Sequence, residues 1–413
     1  MMPLRETARE IFLASLRRID VATVMERKLR VEDGVLRVAG AAAYDLRAFG
    51  RVKVVSAGKA AAPMAETLVR LLRPHLHAWQ RLDGISVGTR VADDPEIRSF
   101  LGGHPVPNED SWRAADAVLE YLSERGEDGD ETLVLFLISG GASALLERPL
   151  DGSMTLADTV AFHQVLVHSG LDIAAMNVLR KHFSAVKGGR LAVAAGGAAQ
   201  CTVLISDVPG NALHVVGSGP TLADPSTVAD CRALLERHGG ALPFPARVVE
   251  LFVDGAPAET PKYGHPAFAR ASRMALLSSD DLCVEAAEVA RQRGFQVVVD
   301  TTCDEWPCGE AAEYLLARVA ELSGSHARVC LVSAGEISVA VGGVHGVGGR
   351  NQHFVLECAR RIAASGQKLT VLSGGSDGVD GNGDAAGGVA DETTVARAAG
   401  LGLSVERALA GFD

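Results

Sequence analysis

At 413 residues, the chain is longer than one hydrophobic core usually supports. Its 47% hydrophobic and 22% charged content, rich in Gly and poor in aromatics, is that of a soluble α/β enzyme, so two domains are expected. A net charge of -11, without long acidic blocks or a basic stripe, excludes nucleic acid as the main partner; no apolar run approaches a membrane span. Seven cysteines, odd in number and mostly scattered, suit a reducing cytoplasm, and the charged stretch Met1 to Asp20 has no signal-peptide core.

Residues 5–30 read as helical, with Ile11, Phe12, Leu13, Leu16, Ile19 and Val24 on an apolar face. The strand Val52 to Val55 then leads through Ser56-Ala57-Gly58 into a helix with Lys59 in its first turn. A strand near Ile85 to Val87, the loop Gly102 to Asn108 and a helix capped by Asp110 or Ser111 follow. Leu133 to Ile138 is a buried strand, Thr155 to Phe183 holds two helices split at Ser169-Gly170, and Cys201 to Ile205 is the next strand. Proline and glycine between Pro243 and Ala267 mark a linker. Beyond it come strands at Met274 to Leu277, Gln296 to Val299 and Val329 to Val332, alternating with helices at Asp280 to Arg293 and Gly309 to Leu322. Ile337 to Val341 reads as a strand, Asn351 to Ala364 as a helix, and Leu369 to Leu372 as the strand before a Gly/Asp-rich loop. The expected fold is two α/β domains. A doubly wound, Rossmann-like parallel sheet occupies residues 1–242, a linker 243–267, and a smaller α/β domain 268–413.

Five of these strands stop on a serine: Ser56, Ser139, Ser206, Ser333 and Ser373. Ligands of open parallel sheets collect beyond the carboxyl ends of the strands, where backbone N–H groups and hydroxyls suit an anion. One such stop is ordinary punctuation, but five suggest a site built from several loops. Lys59 sits like a P-loop lysine without the Walker spacing, since Lys53 takes the first Gly position and Ala60 follows the lysine. A cation at a helix start is disfavoured unless something anionic binds there. Five glycines among residues 342–349, then Arg350, look like a phosphate cradle with a guanidinium fork; the spacing is not a dinucleotide fingerprint. His345 lies within it. Ser373 to Gly388 carries Asp377, Asp380 and Asp384, hard oxygen ligands for Mg²⁺ or acceptors for substrate hydroxyls, or else a self-capping turn. An EF-hand fails for want of its terminal Glu and flanking helices. Asn177, Arg180 and Lys181 share a helix face near Lys187 and Arg190, either a binding cluster or a solvated basic face. Asp207 and Glu336 add acids at strand ends, either of which could be a base or metal ligand.

The strings Ser56-Ala57-Gly58-Lys59-Ala60, Gly103-His104-Pro105-Val106-Pro107-Asn108, Ser139-Gly140-Gly141-Ala142-Ser143-Ala144-Leu145, Asn177 to Arg190, Ser206-Asp207-Val208-Pro209-Gly210, Gly217-Ser218-Gly219-Pro220-Thr221, Gly335-Glu336, Gly348-Gly349-Arg350-Asn351-Gln352 and Ser373 to Asp384 together resemble the glycerate 2-kinase family, or class II glycerate kinases. The C-terminal half of that family is known as the MOFRL domain. The resemblance implies ATP- and Mg²⁺-dependent phosphorylation of D-glycerate on its 2-hydroxyl in a cleft between two α/β domains. It makes Lys59 and Arg350 the strongest catalytic candidates, and the residue chemistry of phosphoryl transfer adds Asp207 as base or Mg²⁺ ligand, with Asp377 and Asp380 as alternative metal ligands. Substrate or nucleotide contacts would come from Ser56, Gly58, Ser139, Gly140, Gly141, Ser143, Asn177, Arg180 and Lys187. Glu336, Gly348, Gly349, Asn351, Gln352, Ser373, Gly374 and Gly375 would add others. Members usually continue past the helix matching Leu403 to Leu409 into a Gly-Pro-Thr-Gly-Thr-Asn type segment, whereas this sequence ends at Asp413, so a shortened C-terminal domain is expected. Two rival functions are an NAD(P)H-dependent hydroxypyruvate reductase, weakened by the absent dinucleotide fingerprint, and a non-catalytic sugar-acid or nucleotide binder. The sequence is compatible with an oligomer.

Overall fold

The computed structural model describes residues 3–124, 131–206, 213–238, 242–253, 255, 257–341 and 346–413. It comprises two compact units, Val21–Ser278 and the combination of Met1–Asp20 with Ser279–Asp413. The elements begin with α1 (Leu4–Arg18), α2 (Val21–Lys28), β1 (Leu29–Glu32), β2 (Val35–Val38), β3 (Ala42–Asp45), β4 (Arg51–Ala57), α3 (Ala61–Leu72), β5 (Arg81–Gly88), β6 (Ile97–Leu101) and α4 (Glu109–Ser123). There follow β7 (Thr132–Ile138), α5 (Ala142–Leu145), α6 (Leu156–His168), α7 (Ile173–Phe183), α8 (Arg190–Ala194), β8 (Ala199–Ile205), α9 (Val228–His238), α10 (Ala246–Val253) and β9 (Ala271–Leu277). The chain continues as α11 (Ser279–Gln292), β10 (Gln296–Val299), α12 (Cys308–Ser323), β11 (Val329–Val332), α13 (Arg350–Ser365), β12 (Thr370–Gly374), β13 (Gly387–Asp391), α14 (Thr394–Gly400) and α15 (Val405–Gly411).

The larger unit is built on a six-stranded parallel sheet in the order β6-β5-β4-β7-β8-β9. Every residue of β4 is buried, as a strand covered on both faces requires. Helix α3 places Ala61, Met64, Ala65, Leu68 and Leu72 on one buried stripe, the three-and-four spacing of a core-facing helix. From β4 the chain winds outward through β5 and β6, then returns to pair β7 on the other side of β4. The direction of winding therefore reverses between β4 and β7, which opens a crevice beyond their carboxyl ends.

Several sequence expectations need correction here. The helix expected over residues 5–30 is two helices in different units, and β1-β2-β3 form a small antiparallel sheet not expected at all. The segment 243–267 is no linker. Leu242, Phe244, Val248 and Phe252 are buried with Phe162 and Phe183 in a core of the larger unit, where Phe162 stacks on Phe183 at 4.1 Å between centroids. Nor does the strand around Met274 open a second domain, because β9 pairs with β8 as the edge of the large sheet.

The smaller unit contains the parallel pair β10-β11 and the antiparallel pair β12-β13. Ala311 and Ala312 of α12 meet Phe354, Val355, Ala359 and Ile362 of α13 in its core. Ile337 to Val341 is not a strand, since Ser338 makes only an isolated bridge to Pro307. Among the described residues no helix is long and apolar enough to cross a membrane.

Candidate active site

At the reversal between β4 and β7 the two strand ends are stitched together. Ser139 donates its backbone N–H to Ala57 O at 2.9 Å, and Lys59 donates its own to Gly140 O at 2.9 Å. Gly58, at φ +126°, lies so close to Ser139 that a Cβ there would overlap it, which fixes glycine at this position. Lys59 is left exposed on the turn. Gly141 adopts φ +85°, and a methyl group built on it would stand 3.3 Å from Lys59 Cγ and 3.1 Å from His104 Cδ2. Three loops thus converge, after β4, β6 and β7, and the one after β6 brings His104 back from the sheet's edge strand.

The serines behave differently from the expectation that they face a ligand. Ser56 is fully buried and donates to Ala61 O at 2.7 Å, while Ser139 Oγ accepts from Ala60 N at 3.1 Å. Both hydroxyls are spent on the turn itself. What the turn offers a ligand is the backbone around Gly140 and Gly141, both partly exposed, and the Lys59 ammonium.

Next to it, Ser143 Oγ lies 2.6 Å from Ser218 Oγ, and Ser218 donates to Asn177 Oδ1 at 2.7 Å. Asn177 is 2% exposed, and its Nδ2 has no partner among the described residues. Arg180, on the same helix, also holds a buried Nε without a described partner. Lys181 pairs with Asp224 at 3.0 Å, both buried. Lys187, expected at the ligand, is turned into the core instead. Its ammonium lies 2.5 Å from Glu147, which also accepts from His163 Nε2 at 2.8 Å, and all three residues are essentially inaccessible. Burial pushes the Glu147 carboxyl up, but the Lys187 ammonium and the His163 hydrogen bond outweigh it and hold the carboxyl at about 2. Burial holds His163 down at about 4, so it is neutral at pH 7. This triad anchors Glu147, the residue directly after the Ser139 to Leu146 segment.

In the smaller unit, Arg350 opens α13 and forms a bidentate pair with Glu336, at 3.0 and 2.9 Å. The helix N-terminus is not an open anion cradle. Asp380, 3% exposed, accepts from Asn351 N at 3.0 Å and from Asn351 Nδ2 at 3.1 Å through Oδ1, and from Gln352 N at 2.8 Å through Oδ2. Asp380 is therefore a capping carboxylate rather than the expected metal ligand, and it occupies the two amides an anion would use. Gly349 must be glycine because Asp380 lies against it, and Gly348 N donates to Asn382 Oδ1 at 2.8 Å. Ser373 donates to Asn351 Oδ1 at 2.6 Å. Gly374 pairs with Gly387 across β12-β13, and Gly375 N donates to Ala386 O, so the Gly/Asp-rich segment folds back into a hairpin. Asp377 is exposed and its Oδ1 accepts from Val379 N at 3.1 Å, a local turn.

Asp207 and His345 lie outside the described residues. Among the described residues, no group of three or more His, Cys, Asp or Glu side chains could hold a metal ion. With Asp380 committed to amides, the expected pair Asp377 and Asp380 does not fit a resident Mg²⁺. The sequence assigned no role to His104 or Ser218, although each lies within a quoted string.

A profile described as the MOFRL family matches residues 329–413, and one described as a domain of unknown function, DUF4147, matches residues 7–253. The chain is 38% identical over 378 residues to an Agrobacterium vitis protein with the provisional name hydroxypyruvate reductase, covering 88% of this chain and 81% of that one. It is 32% identical over 418 residues to the glycerate 2-kinase of Pyrococcus horikoshii, covering 99% and 90% respectively. The crystal structure of glycerate kinase from Thermotoga maritima superposes with a TM-score of 0.78 at 29% identity, covering 99% of this chain and 92% of that one.

Proposed function

Because the chain belongs to the glycerate 2-kinase family, a family of kinases, we propose that it transfers the γ-phosphoryl group of ATP to the 2-hydroxyl of D-glycerate, giving 2-phosphoglycerate and ADP. The observation that carries the reading is the meeting of Lys59 with left-handed Gly141 at the reversal point of the large sheet. Phosphoryl transfer asks little covalent chemistry of a protein and much positioning and neutralisation of charge. Lys59, exposed on a turn pinned by two interstrand hydrogen bonds, supplies a cation whose backbone is held before any ligand arrives. Arg350, on the smaller unit, presents a planar fork that can exchange Glu336 for anionic oxygens of a phosphate or carboxylate. Mg²⁺ enters this reading with ATP, as part of the substrate, and no step is assigned to a resident metal.

A reductase reading rests on the name of the Agrobacterium relative. Against it, the first strand-turn-helix reads Ser56-Ala57-Gly58-Lys59-Ala60-Ala61-Ala62 rather than a glycine-rich dinucleotide turn, and Gly88 ends β5 where an acid would bind the ribose. ADP release with ATP and D-glycerate, run beside NADH oxidation with hydroxypyruvate, separates the two. A glycerate kinase gives the first signal and not the second.

A further inference from the structure

We propose that Ser218 is a positioning residue that orients the Ser143 hydroxyl to accept a hydrogen bond from a hydroxyl of the acceptor substrate. This rests on the glycerate kinase reading and deepens it.

Gly217, Ser218 and Gly219 are three successive residues at positive φ, 58°, 60° and 59°. Glycine adopts such a backbone freely, whereas a serine there is strained and persists only where its surroundings hold it. Those surroundings are explicit. Ser218 is fully buried, its carbonyl accepts from Gly188 N at 3.0 Å, and its hydroxyl lies between Ser143 and Asn177. Glycines on both sides show that the turn itself asks for glycine, so the hydroxyl is what the middle position retains.

The direction of the chain follows from its inner end. The Asn177 carbonyl oxygen can only accept, so Ser218 gives it its single hydroxyl proton. The 2.6 Å contact between Ser218 and Ser143 then requires the Ser143 proton, which leaves Ser143 Oγ with only lone pairs to offer. Ser143 is partly exposed, close along the chain from Gly141, whereas Ser218 and Asn177 are buried behind it. An oxygen that can only accept repels a phosphate or carboxylate oxygen and matches an alcohol. Among the groups of the two proposed substrates, hydroxyls therefore fit this oxygen and phosphates do not, and separate KM values for D-glycerate and ATP distinguish the acceptor's hydroxyls from those of the ribose.

The test is steady-state kinetics on the full-length protein with ATP and D-glycerate, comparing wild type with Ser143→Ala, Ser218→Ala, Ser218→Gly and Ser143→Ala/Ser218→Gly, alongside thermal melts. The expected result is a KM for D-glycerate raised at least about tenfold in each single variant, with the KM for ATP unchanged. Ser218→Gly should melt no lower than Ser218→Ala because it relieves the backbone strain, so its kinetic loss cannot be ascribed to unfolding. The double variant should be no worse than Ser143→Ala alone. An active wild type with an unchanged KM for D-glycerate in Ser218→Gly, equal rises for both substrates, or additive losses would overturn this assignment alone. A wild type unable to turn over D-glycerate would overturn the kinase reading and this assignment with it.

Discussion

Arg350 and Glu336 face each other in a two-pronged ion pair, 2.9 and 3.0 Å between heavy atoms, with both side chains at least half exposed. An exposed pair contributes at most about 1 kcal/mol to folding. Stability therefore gives little reason for so well formed a fork. Replacing Arg350 by Ala should leave the thermal midpoint within a few degrees of wild type and lower kcat/KM by at least about 100-fold. Arg350→Lys should restore little, because an ammonium cannot reproduce bidentate geometry. Midpoints and kcat/KM measured together check this.

Lys59 is expected to show the same separation in the larger unit. Its side chain is exposed while its backbone amide holds the turn, so Lys59→Ala removes the cation and keeps the Gly140 hydrogen bond. Turnover should fall at least about 100-fold with a nearly unchanged melt. Retained turnover would remove Lys59 from the mechanism.

The Glu147, Lys187 and His163 triad should behave in the opposite manner. Removing one partner of a buried ion pair strands the other charge, so Lys187→Met is expected to cost about 3–5 kcal/mol. Chemical denaturation should show this loss directly.

Acid should act through the same cluster. The folded pKa of His163 is depressed to about 4, below its unfolded value, so the unfolded chain takes up the proton first. The associated stability is complete above about pH 6.5 and is lost as pH falls through about 4. Glu147, held at about 2, adds a second loss below about pH 4.5. Wild-type melting temperature should therefore drop between pH 7 and 4, and drop less in His163→Gln. Equal slopes for the two proteins would contradict this.

Asp380 provides a direct comparison of two roles. As a cap, Asp380→Ala should cost about 1–2 kcal/mol, and Asp380→Asn less, because an amide oxygen still accepts one N–H. The Mg²⁺ dependence of activity should be unchanged in Asp380→Asn, whereas a metal ligand would shift it. A magnesium titration distinguishes them.

The central strands β4, β7 and β8 were legible because they are Val-, Leu- and Ile-rich runs almost wholly buried, and serine stops mark their ends, whereas the edge strand β6, Ile97–Leu101, was not expected because Arg98 and Ser99 interrupt its apolar pattern. Asp33-Gly34, both at positive φ, is the hairpin signal of the β1-β2 turn that the helical reading of residues 5–30 passed over. Side-chain direction at the stops was not legible. Ser56 and Ser139 look ligand-facing in a string of letters, yet each is held by the backbone of the next turn. Lys59 and Lys187 both sit beside glycine, and only the packing of Glu147 forty residues away decides that one is exposed and the other buried. The boundary between units was missed because it depends on β9 pairing with β8 across a long Pro-rich excursion, a choice made by tertiary contact rather than local composition.

Phosphorus NMR of the full-length protein with ATP, Mg²⁺ and D-glycerate observes the proposed phosphoryl transfer itself. Stoichiometric ADP and a phosphomonoester identified as 2-phosphoglycerate are the expected products. Recovery of unchanged ATP under conditions where the protein is folded, or NADH-dependent reduction of hydroxypyruvate in its place, would contradict it.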